Sequence, residues 1–237
     1  MGSLTLASRL SRNRWALMGT ARKPGTFITI SRQYGCKSFI VGLLVQEILN
    51  EGANPGQAWQ VYHNEILARL ARETNMAEDF IARERLASPQ WVTEFFRSLS
   101  GQHIPSGFEI RSRITTVLRG LAIAGHAVVI GHGGYWATRD LPRGLAVRLE
   151  APYEWRVRQI AARTGMPVPQ ARVHLDQVER QRNYLRQLHE LHTQVRTPFD
   201  VTYDCSQWSL TQIARHVVCL ARFRGLLRPD LVSYAWA

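Results

Sequence analysis

The chain has 237 residues, 45% of them hydrophobic, enough for one large core; this excludes global disorder and collagen-like repeats. Thirty basic against eighteen acidic side chains give a formal charge of +12, and only Lys23 and Lys37 are lysines. The arginine excess favours anionic partners (nucleotides, nucleic acid, acidic proteins or anionic membrane) without choosing among them. No stretch approaches the roughly 18 uninterrupted apolar residues of a membrane-spanning helix.

In chain order, residues 1–25 carry five basic side chains and no acid. Their apolar positions are too scattered for a secretory leader. The segment reads as a basic N-terminal extension, with an organellar presequence or a helix on anionic lipid as alternatives. Thr26 to Ile30 is a β-branched and aromatic run, Ser31 to Gly35 breaks it, and Phe39 to Leu49 has helical spacing. Val61 to Thr74, Ala77 to Leu86, Pro89 to Leu99 and Glu109 to Ala124 are predicted helices. His126 to Ile130 and Leu145 to Leu149 are predicted strands, the first stopped by the glycines at 131, 133 and 134. A helix to about Arg163 follows the second, then a long polar helix from Pro169 to Leu191. Phe199 to Tyr203 is the last strand and Ser209 to Phe223 the last long helix. Strands alternating with crossover-length helices predict an α/β fold, a three-layer parallel sheet covered on both faces.

Ligands of such sheets bind beyond the carboxyl ends of the strands. The turn Ser31 to Ser38 joins the first strand to a helix start, where backbone N–H groups can face a phosphate. A lysine and a hydroxyl at its end, Lys37 and Ser38, suit terminal phosphates and magnesium. The G-x-x-x-x-G-K-[ST] spacing would want glycines at 31 and 36, where Ser31 and Cys36 stand. An ordinary strand-to-helix turn with a surface lysine fits the spacing equally well. Cys36, Cys205 and Cys219 have no metal-like spacing and point to a reducing compartment rather than a disulfide scaffold.

The stretch Ile28 to Gly35 (ITISRQYG) resembles the ITISREYGSGG opening of the cytidylate kinase-like family of P-loop kinases. Further segments agree in order. Trp59 to Ile66 resembles W-x-x-x-D-x-E-L, and Gly125 to Gly133 resembles G-x-x-V-I-V-G-R-G. Leu149 to Arg156 resembles a strand followed by APLEYR, and Val178 to Tyr184 the lid helix V-D-x-x-R-x-x-Y. Phe199 to Asp204 resembles the last strand, YDLVLN. The resemblance implies a P-loop NTPase-like core at 26–224, a helical monophosphate-binding insertion at about 62–108, a lid at about 163–186 and a tail at 225–237. It implies a kinase transferring the ATP γ-phosphoryl group, with Mg2+, to a nucleoside monophosphate or other small acceptor.

On these matches the phosphates would meet Ser31, Arg32, Gln33, Tyr34, Gly35, Cys36, Lys37 and Ser38. Lys37 and Arg182 would be the catalytic groups, and Ser38 the magnesium ligand. Arg158, Arg163 and Arg182 would close from the lid; His63, His132 and Gly133 would meet the acceptor. His132 stands where the family has arginine, Gly133 where cytidylate kinases have aspartate, and Glu179 where the lid has aspartate. Two registers of Gly35-Cys-Lys-Ser38 remain open. Without gaps Lys37 falls on a loop glycine; by Walker spacing it falls on the lysine. The expected protein is cytoplasmic with a nucleotide substrate. A catalytically impaired module that binds nucleic acid or a partner protein through its basic face is the alternative.

Overall fold

The computed structural model describes residues 25–53, 57–63, 107–131, 133–190 and 199–227, with 107–114 and 181–190 described in backbone only. The predicted helices between 64 and 106 and the flanking extension and tail lie largely or wholly outside the described residues.

Five strands, β1 (Phe27–Arg32), β2 (Gln60–Tyr62), β3 (Ala127–Ile130), β4 (Gly144–Glu150) and β5 (Val201–Asp204), form one sheet in the order β2-β3-β1-β4-β5. Every pairing is parallel, with Phe27 opposite both Ala127 and Gly144. The helices are α1 (Ser38–Asn50), α2 (Gly107–Ala124), α3 (Gly134–Thr138), α4 (Tyr153–Thr164), α5 (Val168–Glu190) and α6 (Leu210–Phe223).

Side-chain alternation builds the layers. Ile28, Ile30, Val128, Ile130, Leu145, Val147 and Leu149 pack against Val41 and Val45 of α1 and Ile213 and Val217 of α6. Phe27, Ala127 and Val129 face the other way, onto Leu118, Leu121 and Ala122 of α2 and Ala137 of α3. The parallel sheet with helices on both faces is therefore the expected one. A Ser209–Gln212 capping box starts α6, satisfying orphan donors of its first turn.

One expected element is different. Val61 does not open a helix; it is the middle of β2, the edge strand beside β3. Side chains of α1 set this strand. Asn50 Oδ1 accepts the Trp59 N–H at 2.7 Å, while the Asn50 and Gln46 amides donate to the Trp59 carbonyl.

The hairpin of α4 and α5 has its own small core, in which Val157 and Ile160 meet Ala171 and Leu175. Gly165, at φ 71°, ends α4 in the left-handed conformation, its N–H bonded to the Ala161 carbonyl. Tyr34, in the turn after β1, packs against this core.

Candidate phosphate-binding site

The chain winds from β1 to the β2 edge, returns through β3 to the near side of β1, then crosses to β4 on the other side. The crevice at the carboxyl end of β1 is therefore the topological switch point of the sheet, where open α/β sheets bind ligands. Ser31 and Arg32 close β1, residues 33–37 make the turn, and Ser38 begins α1.

Each turn residue is held by a different element. The Gln33 N–H donates to the Leu149 carbonyl at 2.9 Å, and its side-chain oxygen accepts the Ala151 N–H at 2.9 Å. The loop thus starts fastened to the end of β4. Tyr34 is held from four directions. Its N–H donates to Glu179 Oε1 at 2.6 Å, its ring edge meets His174, and Arg163 donates to its hydroxyl at 3.0 Å. The Arg163 guanidinium also lies over the Tyr34 ring. Arg156 donates to the Tyr34 and Ala151 carbonyls and to Glu179 Oε1 at 3.2 Å. This guanidinium is buried, and its α4 backbone lies so close to Gly35 that a Cβ there would sit 3.1 Å from Arg156 Cβ. Gly35 also has φ 101°, a backbone that favours glycine whatever the space around it.

Lys37 takes φ 26° and ψ 37° as the N-cap of α1. That left-handed backbone favours glycine, so a lysine there is strained. No side chain caps α1 among the described residues. The Lys37 carbonyl accepts from Ile40 and Val41, so the Ser38 and Phe39 amides face out of the helix end with the positive pole of its dipole. Ser38 is buried in the first turn.

Beneath the loop, Cys36 is buried against Cys205, which follows β5. The neighbouring Cys205 thiol, with Arg156 and Arg148, holds the Cys36 thiol below its ordinary range.

On the other side of β1, Arg32 donates to His63 Nε2 at 3.1 Å. Its guanidinium lies against Gly131, where a Cβ would displace the arginine head and where a φ of 70° favours glycine. Gly133 is the left-handed N-cap of α3. The structure therefore brings Arg32, His63 and the β3 turn into one cluster, while His132 lies outside the described residues. Of the three arginines expected in a lid, Arg163 reaches the loop, Arg158 is exposed on α4, and Arg182 is placed only as backbone of α5, three residues beyond Glu179. Sequence reasoning passed over Arg156 as a site residue. Its signal was present: it is the last residue of the segment Leu149–Arg156 matched to APLEYR.

For magnesium the described protein offers little of its own. Among the described residues no group of three or more acidic, His or Cys side chains could hold a metal. Glu150 is paired with Arg148, and Asp204 accepts the Ser206 N–H. A site with Ser38 as a protein ligand fits magnesium that arrives with nucleotide oxygens, and does not fit a resident ion.

A five-stranded parallel sheet of this order with helices on both faces is an α/β fold, consistent with a P-loop-like core. The cytidylate kinase-like family matches residues 27–207, more than half of the sequence, and the chain belongs to that family. The crystal structure of an uncharacterized protein from Eubacterium ventriosum is similar in fold, with a TM-score of 0.57 at 14% identity over 84% of this chain and 99% of that one. The structure of TT1252 from Thermus thermophilus gives 0.44 at 17% identity, over 85% and 98%. No curated protein matches. Among the described residues no helix is long and apolar enough to cross a membrane.

Proposed function

We propose that the protein is a nucleotide kinase that moves the γ-phosphoryl group of ATP to a nucleoside monophosphate. One observation carries this reading. The turn at the switch point is bent by Gly35 and Lys37 onto the uncapped N-terminus of α1, with Arg156 and Arg163 against it. Such an end binds phosphate through its amides and dipole.

In this account the Ser38 and Phe39 amides and the Lys37 ammonium hold the donor phosphates, and the Ser38 hydroxyl is the protein's contact to magnesium. Magnesium bound there would supply positive charge against the donor phosphates. Arg32, with His63, faces the acceptor phosphate from the far side of β1. Arg163 and Arg182 belong to the lid, and the hairpin excludes water when it closes over the loop. Phosphoryl transfer asks for alignment and positive charge rather than covalent chemistry, and this chain has arginines on both sides of the loop.

The test is turnover of ATP with magnesium against a panel of nucleoside monophosphates. At least one should be phosphorylated, and His132→Arg, restoring the permanent fork of the family motif, should improve use of CMP or dCMP. Failure of every monophosphate as acceptor would overturn the reading.

A further inference from the structure

Tyr34 belongs to the phosphate loop in sequence and to the α4–α5 hairpin in packing. Its ring lies against the small core of Val157, Ile160, Ala171 and Leu175. A phenylalanine ring would fill that place as well, so the hydroxyl needs another explanation. It accepts from Arg163 Nη2 at 3.0 Å and lies 2.9 Å from His174 Nε2. Arginine only donates, which leaves the hydroxyl hydrogen for the imidazole nitrogen. His174 also meets the Tyr34 ring edge-on, with 5.5 Å between ring centroids.

Arg163 is thereby held twice, by the hydroxyl and by the ring, whose centroid is 5.4 Å from its Cζ. Arg119, Arg148, Arg156, Arg172 and Arg224 each meet a carboxylate instead. Arg163 is exposed, and among the described residues Tyr34 is its one partner. A carboxylate fixes a guanidinium by cancelling its charge; a ring and a hydroxyl fix it with the charge intact. The dipole at the end of α4 favours a cation at this position, but it does not call for a tether to the loop.

We propose that Tyr34 and His174 are positioning residues for Arg163, keeping its charge uncompensated beside the loop for the phosphate chain of a nucleotide. Tyr34 supplies the seat, and His174 holds the hydroxyl in the direction that accepts from the guanidinium. Arg163 keeps its Nε and Nη1 hydrogens for phosphate oxygens, which it can meet as a fork. The proposal rests on phosphate binding at the loop, as in the function proposed above; it does not rest on phosphoryl transfer.

The test is a set of double-mutant cycles on the full chain, read by calorimetric titration at moderate salt. The ligands are ATP and inorganic tripolyphosphate, which has no base or sugar. Tyr34→Phe keeps the ring in the hairpin core, and His174→Ala leaves the loop sequence untouched. Arg163→Met should weaken both ligands about tenfold, the loss of a charged phosphate contact. Tyr34→Phe and His174→Ala should each weaken them about threefold, the scale of one neutral hydrogen bond. Combined with Arg163→Met, neither should weaken binding further. Merely structural roles would give the same loss in both backgrounds, and that additivity would overturn the proposal. So would unchanged binding in Arg163→Met. If both ligands bind with this coupling and no monophosphate is phosphorylated, the kinase reading fails while the positioning stands. If a monophosphate is phosphorylated and the coupling is absent, the positioning fails while the kinase reading stands. Binding of neither ligand to the wild type overturns both.

Discussion

Lys37 carries two opposed demands. Its left-handed backbone costs roughly 1–2 kcal/mol relative to an unstrained residue, a cost that glycine avoids. Its ammonium, if it meets phosphate, is worth about 1.5–3 kcal/mol of binding. Lys37→Gly should therefore raise stability by about 1 kcal/mol in urea unfolding, after glycine's own entropy loss, while weakening ATP binding tenfold or more. Lys37→Ala should weaken ATP equally without the gain in stability, and Lys23→Ala should change neither. A Lys37→Gly protein that is more stable and binds ATP as well as wild type would show that the side chain points away from the nucleotide.

At the scale of elements, the loop depends on the α4–α5 hairpin. Arg156 and Glu179 clamp Tyr34 between them, and both are largely buried. Replacing Arg156 by Met removes one charge of a buried pair and three hydrogen-bond contacts. The expected cost is about 3 kcal/mol in urea unfolding, the low end for such a loss because Glu179 keeps some contact with water. Adding Glu179→Met should recover part of it; no recovery would mean that Arg156 acts through its carbonyl contacts alone. Glu179 is also an anion on a loop amide, where phosphate would compete with it. Glu179→Gln should tighten ATP binding a few-fold in a titration, and weaker binding would contradict that competition.

On the opposite face, Arg119 of α2 forks onto Asp140 after α3, and this hydrogen bond holds the Asp140 carboxyl below its ordinary 3.8. A depressed folded pKa contributes stability that is complete above the unfolded value and is lost as pH falls through the folded one. The pair is exposed, so the contribution is under about 1 kcal/mol. Asp140→Asn should lower stability slightly at pH 7, and the difference from wild type should shrink below pH 4 (on the order of the unfolded carboxyl's pKa). A difference constant from pH 3 to 7, on that same scale, would contradict the assignment.

Much of the element order was legible in sequence for a physical reason. Buried parallel strands are largely apolar, so Phe27–Ile30 and Ala127–Ile130 stand out as runs, and Leu145–Leu149 does so despite Arg148 on its half-buried face. β2 was not legible. It is three residues long, lies at the edge, and is fixed by Asn50 and Gln46 reaching across from α1, while Val61 fits helical spacing as well. A turn from strand to helix was legible, but the strand, expected to stop at Ile30, runs on to Arg32 and leaves the turn at residues 33–37. The Tyr34 clamp was not legible, because it joins residues from three separate segments. Spacing along the chain carries no record of such meetings.

For the whole molecule, a formal charge of +12 would attract any polyanion, so binding alone does not separate a nucleotide site from a basic surface. Salt does. Polynucleotide binding through many phosphates collapses by orders of magnitude as salt rises, because each neutralised phosphate releases a counterion. A single nucleotide held by loop amides and a few arginines loses far less. The deciding measurement is calorimetric titration of the wild-type protein with ATP and magnesium at low and moderate salt, repeated with Lys37→Ala. The account predicts one saturable site per chain that persists at moderate salt and weakens at least tenfold, about 1.4 kcal/mol, in the variant. No heat at any ATP concentration, or binding that disappears with salt and ignores Lys37, would contradict it.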